Sequence, residues 1–365
     1  MAISENRTVT AKTAKRSLRR CFAKQRPVFL WGPPGIGKSE LVAGIAEEMG
    51  GLMIDLRLAQ MEPTDLRGIP YFNKDKGVMD WAPPIDLPDE DTASQYPIVV
   101  LFLDEMNSAA PAVQAAGYQL VLNRRVGKYV LPKNVVIVAA GNRETDKGVT
   151  FRMPAPLSNR FIHLEMRVDH ESWEEWAIMH NIHKDVVGYC GFAKQDLFDF
   201  DPKSPSRSFA TPRSWTFVSE LLDDNISDAE LMDLIAGTVG EGVASKFMTH
   251  RKIASKLPNP SDILAGKVSE LQTKEISAMY SLVVSMCYEL RDLNEKLKTD
   301  KKAGDFNTSA DNFFRFMMDN FTTELTVMGA RTALTTYALP IQPGKMKHFS
   351  EFHKKFGKFV VAAAA

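Results

Sequence analysis

The chain has 365 residues, 44% hydrophobic and 25% charged, which is ordinary globular composition with length enough for two domains that each bury a core. Its 45 basic and 45 acidic side chains cancel, so no overall field draws it to nucleic acid or an anionic membrane, and only a local patch could do so. Cys21, Cys190 and Cys287 are odd in number, far apart and in no C-x-x-C pair; this argues against a disulfide framework or a zinc site and for a reducing cytoplasm. No run approaches the roughly 18 apolar residues that a membrane span needs.

In chain order, the basic opening NRTVTAKTAKRSLRRCFAKQ lacks the apolar segment of a secretory signal and reads as an amphipathic helix leading into the first strand. From Pro27 to about Met166, short apolar runs alternate with helical or polar stretches, the pattern of a parallel α/β sheet. Strands are expected at 27–31 (PVFLW), 51–57 (GLMIDLR), 97–104 (PIVVLFLD), 134–140 (NVVIVAA) and 160–166 (RFIHLEM). The middle ones are apolar at consecutive positions, as strands covered on both faces are. The connection 58–96 is long and rich in Pro, Gly and Asp, and loops of that length usually have a task.

After Asp169 the periodicity becomes helical, with residues 261–298 as the longest expected helical stretch. His180 and His183 in MHNIH have no Cys or acidic ligand beside them and read as surface histidines rather than a metal pair. FFRFMMDNF (313–321) has the spacing of a core helix. The closing KMKHFSEFHKKFGKFVV carries Phe349, Phe352, Phe356 and Phe359 at helical spacing, a stripe to dock on the domain, with lysines that could alternatively meet nucleic acid or a membrane surface.

The chemistry begins at WGPPGIGKSE, which fits G-x-x-x-x-G-K-[ST] between an apolar strand and a helix, the context that motif requires. Glycines let backbone N–H groups curl around phosphates, and the helix N-terminus adds partial positive charge. The nucleotide-binding set is therefore Gly32, Pro33, Pro34, Gly35, Ile36, Gly37, Lys38, Ser39 and Glu40, with Lys38 on the β and γ phosphates and Ser39 on Mg²⁺. Asp104, ending an apolar strand, is expected to hold the same Mg²⁺ through water, and Glu105 beside it to polarise an attacking water. ATP is favoured over GTP because NKDK (73–76) does not make the guanine-reading N-K-x-D. Asn142, ending the strand beside Asp104, is placed to hold the lytic water or sense the γ-phosphate. Arg160 precedes the fifth strand, and Arg213 opens a helix farther on.

Together these residues resemble the AAA+ ATPases and, within them, the MoxR-like group. The finer likeness lies in MEPTDLRG (61–68), LDEMNSAAPAVQ (103–114), NRRVGKYVLP (123–132) and MPAPLSNRF (153–161), and it covers roughly residues 25–220. The resemblance implies an α/β AAA+ domain over 1–170 with a parallel five-stranded sheet flanked by helices, a helical lid over 171–262, and leaves 263–365 as a C-terminal helical extension. It implies that Arg160 is an arginine finger reaching the neighbouring subunit of a ring, most often a hexamer, and that Arg213 is a lid sensor acting in cis. It also implies that GIPYFNKDKGVMDW (68–81) is an inserted hairpin near a pore or partner. MoxR proteins usually carry Asn-Pro at the sensor; GNRETD (141–146) departs from that and implies a differently shaped loop.

The expected function is a cytoplasmic ring ATPase that remodels or activates a protein client, through an adaptor of the von Willebrand factor A type in many relatives, with no membrane role. The alternative is a nucleic-acid-stimulated motor or restriction-type translocase subunit, which zero net charge disfavours and the basic C-terminus favours.

Overall fold

The computed structural model describes residues 7–362 apart from 127, 147–149, 152, 223–225, 274 and 301–303, and leaves out the side chains of 343 and 358–362. The chain forms two compact units, residues 1–169 with 200–204 and residues 170–199 with 205–365.

The first unit contains strands β1 (Thr8–Val9), β2 (Val28–Trp31), β3 (Leu52–Arg57), β4 (Ile69–Asn73), β5 (Val78–Ala82), β6 (Val99–Asp104), β7 (Arg125–Val126), β8 (Tyr129–Val130), β9 (Val135–Gly141) and β10 (Ile162–Met166). Its helices are α1 (Ala11–Ala23), α2 (Lys38–Glu48), α3 (Pro63–Arg67), α4 (Glu90–Ser94), α5 (Pro111–Asn123) and α6 (Ala155–Ser158). The main sheet is parallel and six-stranded in the order β1-β10-β2-β9-β6-β3. All five expected strands are present, and the sheet gains an edge strand, β1, where the sequence reads as the approach to a helix. Two residues carry no detectable period; only pairing of Thr8 with Glu165 and Val9 with Met166 makes them a strand.

Alternate residues of these strands enter different cores. Phe29, Leu101, Leu103, Ile137 and Ala139 pack with Leu66 of α3 and Val113 and Leu120 of α5. Val28, Leu30, Val100, Phe102 and Val138 pack with Leu18 of α1 and Val42 and Ile45 of α2. Both faces are thus covered, which explains the uninterrupted apolar runs.

The 58–96 connection holds α3, the antiparallel β4–β5 hairpin and α4. Gly68 joins α3 to the hairpin at φ +81°, and a Cβ there would stand 1.9 Å from the Ala82 carbonyl oxygen, so only glycine fits. The hairpin exposes Ile69, Phe72, Val78 and Met79. Its Asp80 pairs with Lys128 beside the β7–β8 hairpin, and that ammonium holds the carboxyl down to about 2. Gly127 of the expected RRVGKYVLP hairpin lies outside the described residues.

The second unit contains α7 (His170–Met179), α8 (Lys184–Phe192), α9 (Pro212–Leu221), α10 (Asp228–Val239), α11 (Glu241–Ala254), α12 (Pro260–Leu264), α13 (Ile276–Thr299), α14 (Phe306–Asn320), α15 (Thr323–Arg331) and α16 (Lys347–Ala362). The continuous helix expected over 261–298 is two helices, because Gly266 turns left-handed at φ +74° and Asn320 captures the Leu271 N–H at 2.7 Å. FFRFMMDNF supplies core through Phe313, Phe314, Phe316 and Met317. Against them dock Phe349 and Phe352 of α16, with Phe356 partly buried, while Lys347, Lys354 and Lys355 stay exposed. The Phe359 side chain lies outside the described residues. His180 stacks on Trp176 at 4.5 Å, and His183 caps α8 through Nδ1. Among the described residues no helix is long and apolar enough to cross a membrane.

Candidate functional site

In a parallel sheet, ligands bind beyond the carboxyl ends of the strands where neighbouring connections diverge. Here β2 lies between β10 and β9, and β9 between β2 and β6. The carboxyl ends of β2, β9 and β6 therefore bring together Gly32 to Glu40, Asn142, and the Asp104–Glu105 pair.

The loop leaving β2 is shaped by its glycines. Gly35 and Gly37 take left-handed φ of +74° and +86°. A Cβ on Gly37 would meet nothing within 4 Å, so its backbone conformation, rather than lack of space, selects glycine. Gly32 is constrained by space as well: a Cβ there would come within 2.6 Å of Ile36 Cδ1 and 3.0 Å of Met166 O. Pro33 is buried, Pro34 half-buried, and Ile36 packs against the core below, fastening the loop. The loop then opens α2, whose first turn carries Lys38, Ser39 and the exposed Glu40.

Lys38 Nζ donates to the carbonyls of Gly32 at 2.7 Å and Pro33 at 3.1 Å and lies 3.3 Å from Asn142 Oδ1. Its ammonium thus stands between the loop leaving β2 and Asn142 at the end of β9. Ser39 Oγ is 3.5 Å from Asp104 Oδ2, while Asp104 Oδ1 accepts the Glu105 N–H at 2.8 Å. Among the described residues no group of three His, Cys, Asp or Glu could hold a metal ion. A cation at Ser39 and Asp104 would need phosphate oxygens to complete its shell, as Mg²⁺ in nucleotide sites does. The donor set fits that ion: one hydroxyl and one carboxylate, all oxygen.

Glu105 leaves β6 at φ +53°, a left-handed conformation costly for a residue with a side chain, and it is exposed. The Asp55 carboxyl, on the neighbouring strand β3, is raised first by burial and then by the Asp104 carboxylate, with Arg57 opposing.

Three residues around the site carry roles that the motifs did not assign. Asn107, 2% exposed, donates from Nδ2 to the Asn142 carbonyl at 2.7 Å and accepts the Phe151 N–H at 2.7 Å through its own. A Cβ on Gly141 would lie 2.1 Å from Asn107 Oδ1, so the small residue in GN is required by this contact. Arg143 pairs with Asp146 at 3.0 Å and Glu165 at 3.5 Å, giving the loop after Asn142 a clamp. His163, on β10, links β2 to the turn that carries Arg160. Asn107 stands in the quoted LDEMNSAAPAVQ stretch (103–114), so its position was visible and its partner was not.

Arg160 is not gathered with the others. Ile162 pairs with Val28, at the amino end of β2, so Arg160 lies beyond the end of the sheet opposite the phosphate loop. Even the four-residue length of β2, at about 3.3 Å per residue, separates it from its own loop by more than one side chain spans. Its backbone is fixed: the Arg160 N–H donates to Leu157 O at 2.9 Å, and the flanking Leu157 and Phe161 are 1% and 6% exposed. The side chain is exposed and, among the described residues, makes no ion pair. Arg213 is an exposed residue of the first turn of α9 in the helical unit, behind the Thr211–Ser214 capping box. A cation there opposes the helix dipole, which disfavours it on structural grounds alone.

Residues 28–166 match the family described as "ATPase family associated with various cellular activities (AAA)". No curated protein matches the chain. Solved structures with a similar outline include a candidate ATPase of Cytophaga hutchinsonii, at 15% identity and TM-score 0.37, covering 90% of this chain and 81% of that one. The RuvB Holliday junction branch migration motor of Thermotoga maritima is at 15% identity and TM-score 0.35, over 84% of this chain and 86% of that one. NtrX of Brucella abortus is at 12% identity and TM-score 0.36, over 97% and 69%. Scores this low carry no argument about function. The glycine loop between β2 and α2 and the β10-β2-β9-β6-β3 order agree with that match over residues 28–166, and the unit has the AAA+ α/β fold.

Proposed function

We propose that the chain is a MoxR-like AAA+ ATPase that hydrolyses ATP between subunits of a ring, a hexamer in the family's usual form, and uses the cycle to remodel or activate a protein client in the cytoplasm. Gly32 to Ser39 would hold the triphosphate, with Lys38 turning from the loop carbonyls to the β and γ oxygens. Ser39 and Asp104 would hold Mg²⁺, which neutralises charge developing on the phosphates. Glu105 would take the proton of the attacking water, and Asn142, steadied by Asn107, would orient that water. Arg213 would report nucleotide state to a lid formed from residues 171–262, converting hydrolysis into motion.

The observation that carries this reading is the place of Arg160. A guanidinium on a fixed backbone, exposed, unpaired and at the wrong end of the sheet for its own phosphate loop serves a site on another subunit. A finger supplied in trans stabilises charge that appears only in the transition state. The exposed β4–β5 hairpin offers an apolar surface for a client or for an adaptor of the von Willebrand factor A type. Against a nucleic-acid motor stands the docked α16, whose Phe349 and Phe352 face the core instead of a strand.

The test is complementation. Lys38→Ala and Arg160→Ala are each expected to lose ATP hydrolysis alone and to recover it when mixed, because an intact loop then meets an intact finger. Mixed subunits that exchange and stay inactive would sink the trans mechanism. Stimulation by DNA or RNA at stated salt would favour the motor; indifference favours the client-remodelling reading.

A further inference from the structure

Trp31, the last residue of β2 before the phosphate loop, donates its indole N–H to His163 Nδ1 at 2.8 Å. The rings are 22° from parallel with centroids 6.0 Å apart. Indole nitrogen is only a donor, so His163 Nδ1 must accept and the neutral ring carries its proton on Nε2. That Nε2 lies 2.8 Å from the Ser158 carbonyl oxygen and 3.3 Å from Ser158 Oγ. Ser158 O also accepts the Phe161 N–H at 3.2 Å, so both bonds close on the turn that presents Arg160. Phe29 fastens the same assembly, stacked on Trp31 at 4.1 Å and edge-on to Phe161 at 5.4 Å.

From this chain of contacts we infer that His163 is a positioning residue for Arg160: it ties the finger turn to Trp31, so that the phosphate loop of a subunit sets the finger which that subunit offers its neighbour. The inference rests on the trans-finger reading above. Register gives the device its reach. His163 pairs with Phe29, midway along β2, between the loop at one end of the strand and the finger turn at the other. Both bonded atoms of the imidazole are used, so neither Phe nor Ala can replace it. No group on His163 contacts the phosphate loop itself, and its effect must run through Ser158 and Trp31.

The experiment mixes subunits as before. His163→Ala is expected to lower turnover roughly ten- to a hundred-fold, the scale of a misplaced group, with binding of a fluorescent ATP analogue and the melting temperature unchanged. Adding Lys38→Ala subunits, which have intact fingers, should then raise turnover per His163→Ala subunit toward the wild-type value. Trp31→Phe, which keeps the stack on Phe29 and removes the donor, should give the same pattern with a smaller loss. If Arg160→Ala is rescued by Lys38→Ala and His163→Ala is not, His163 acts on its own loop and the inference falls while the trans finger stands. If neither is rescued, the finger reading fails and takes the inference with it. Full turnover in His163→Ala also overturns it.

Discussion

In the α/β unit the candidate site groups lie open to water: Lys38 and Ser39 are half-buried, and Glu105 and Arg160 are exposed. In the helical unit several polar groups are buried in the core. Glu174 is 8% exposed, Asp196 is 4% exposed and receives the Tyr189 hydroxyl at 2.5 Å, and Cys190 and Cys287 are fully covered. The first arrangement leaves side chains replaceable without loss of packing, as groups that meet a ligand must be. The second makes each polar side chain part of the core, where removal is felt as stability.

The sharpest test of this contrast is activity without unfolding. Arg160→Ala should cut ATP turnover by about 10³- to 10⁵-fold, and Glu105→Gln by about 10²- to 10⁴-fold, in steady-state assays, while thermal melting stays at the wild-type temperature. A shifted melt in either would break the comparison, because these groups would then be structural.

The opposite pattern is expected for Phe352→Ala. Phe352 is 1% exposed and lies 5.2 Å from the Phe314 ring, so its loss should cost about 3–5 kcal/mol of the helical unit's stability. Hydrogen exchange should speed up in α14 and α16.

Glu174 sharpens the contrast through pH. Burial above all raises its carboxyl from the usual 4.5 to about 7, with Glu171 and Glu175 adding, and Lys194 and a bond from Tyr280 opposing. The folded unit therefore prefers the neutral acid. Its contribution is complete below about pH 4.5 and is lost as pH rises through 7. Glu174→Gln should flatten that slope and be more stable than wild type at pH 8 by up to about 3 kcal/mol, read by urea denaturation at both ends of the window. An unchanged slope would mean that another group titrates.

The smallest effect is expected where packing and chemistry meet. Gly141→Ala drives a methyl toward Asn107 Oδ1, and should cost about 1–3 kcal/mol together with a fall in turnover as Asn142 shifts. Loss of stability with full turnover would show that Asn107 supports the fold and not the sensor.

The sequence made the phosphate loop, Asp104, Glu105, Asn142 and the five strands legible because each depends on local rules: glycine conformation, apolar runs, and a strand followed by a helix. It did not reveal β1, since two residues have no pattern, nor the break at Gly266, since an isolated glycine inside a helical pattern does not announce its handedness. Asn107 stood inside a quoted motif, yet its bond to Asn142 spans 35 residues. His163 looked like one more residue of an alternating strand, and its partners Trp31 and Ser158 lie 132 and 5 positions away.

Sequence by itself thus determined the motif on which the nucleotide reading rests, because phosphate chemistry needs fixed residue types at fixed short spacing. Tertiary structure decided where Arg160 stands relative to its own loop, and which side chains hold it there. Strand order and register set those distances, and they arise from burial of whole faces rather than from any short run of residues.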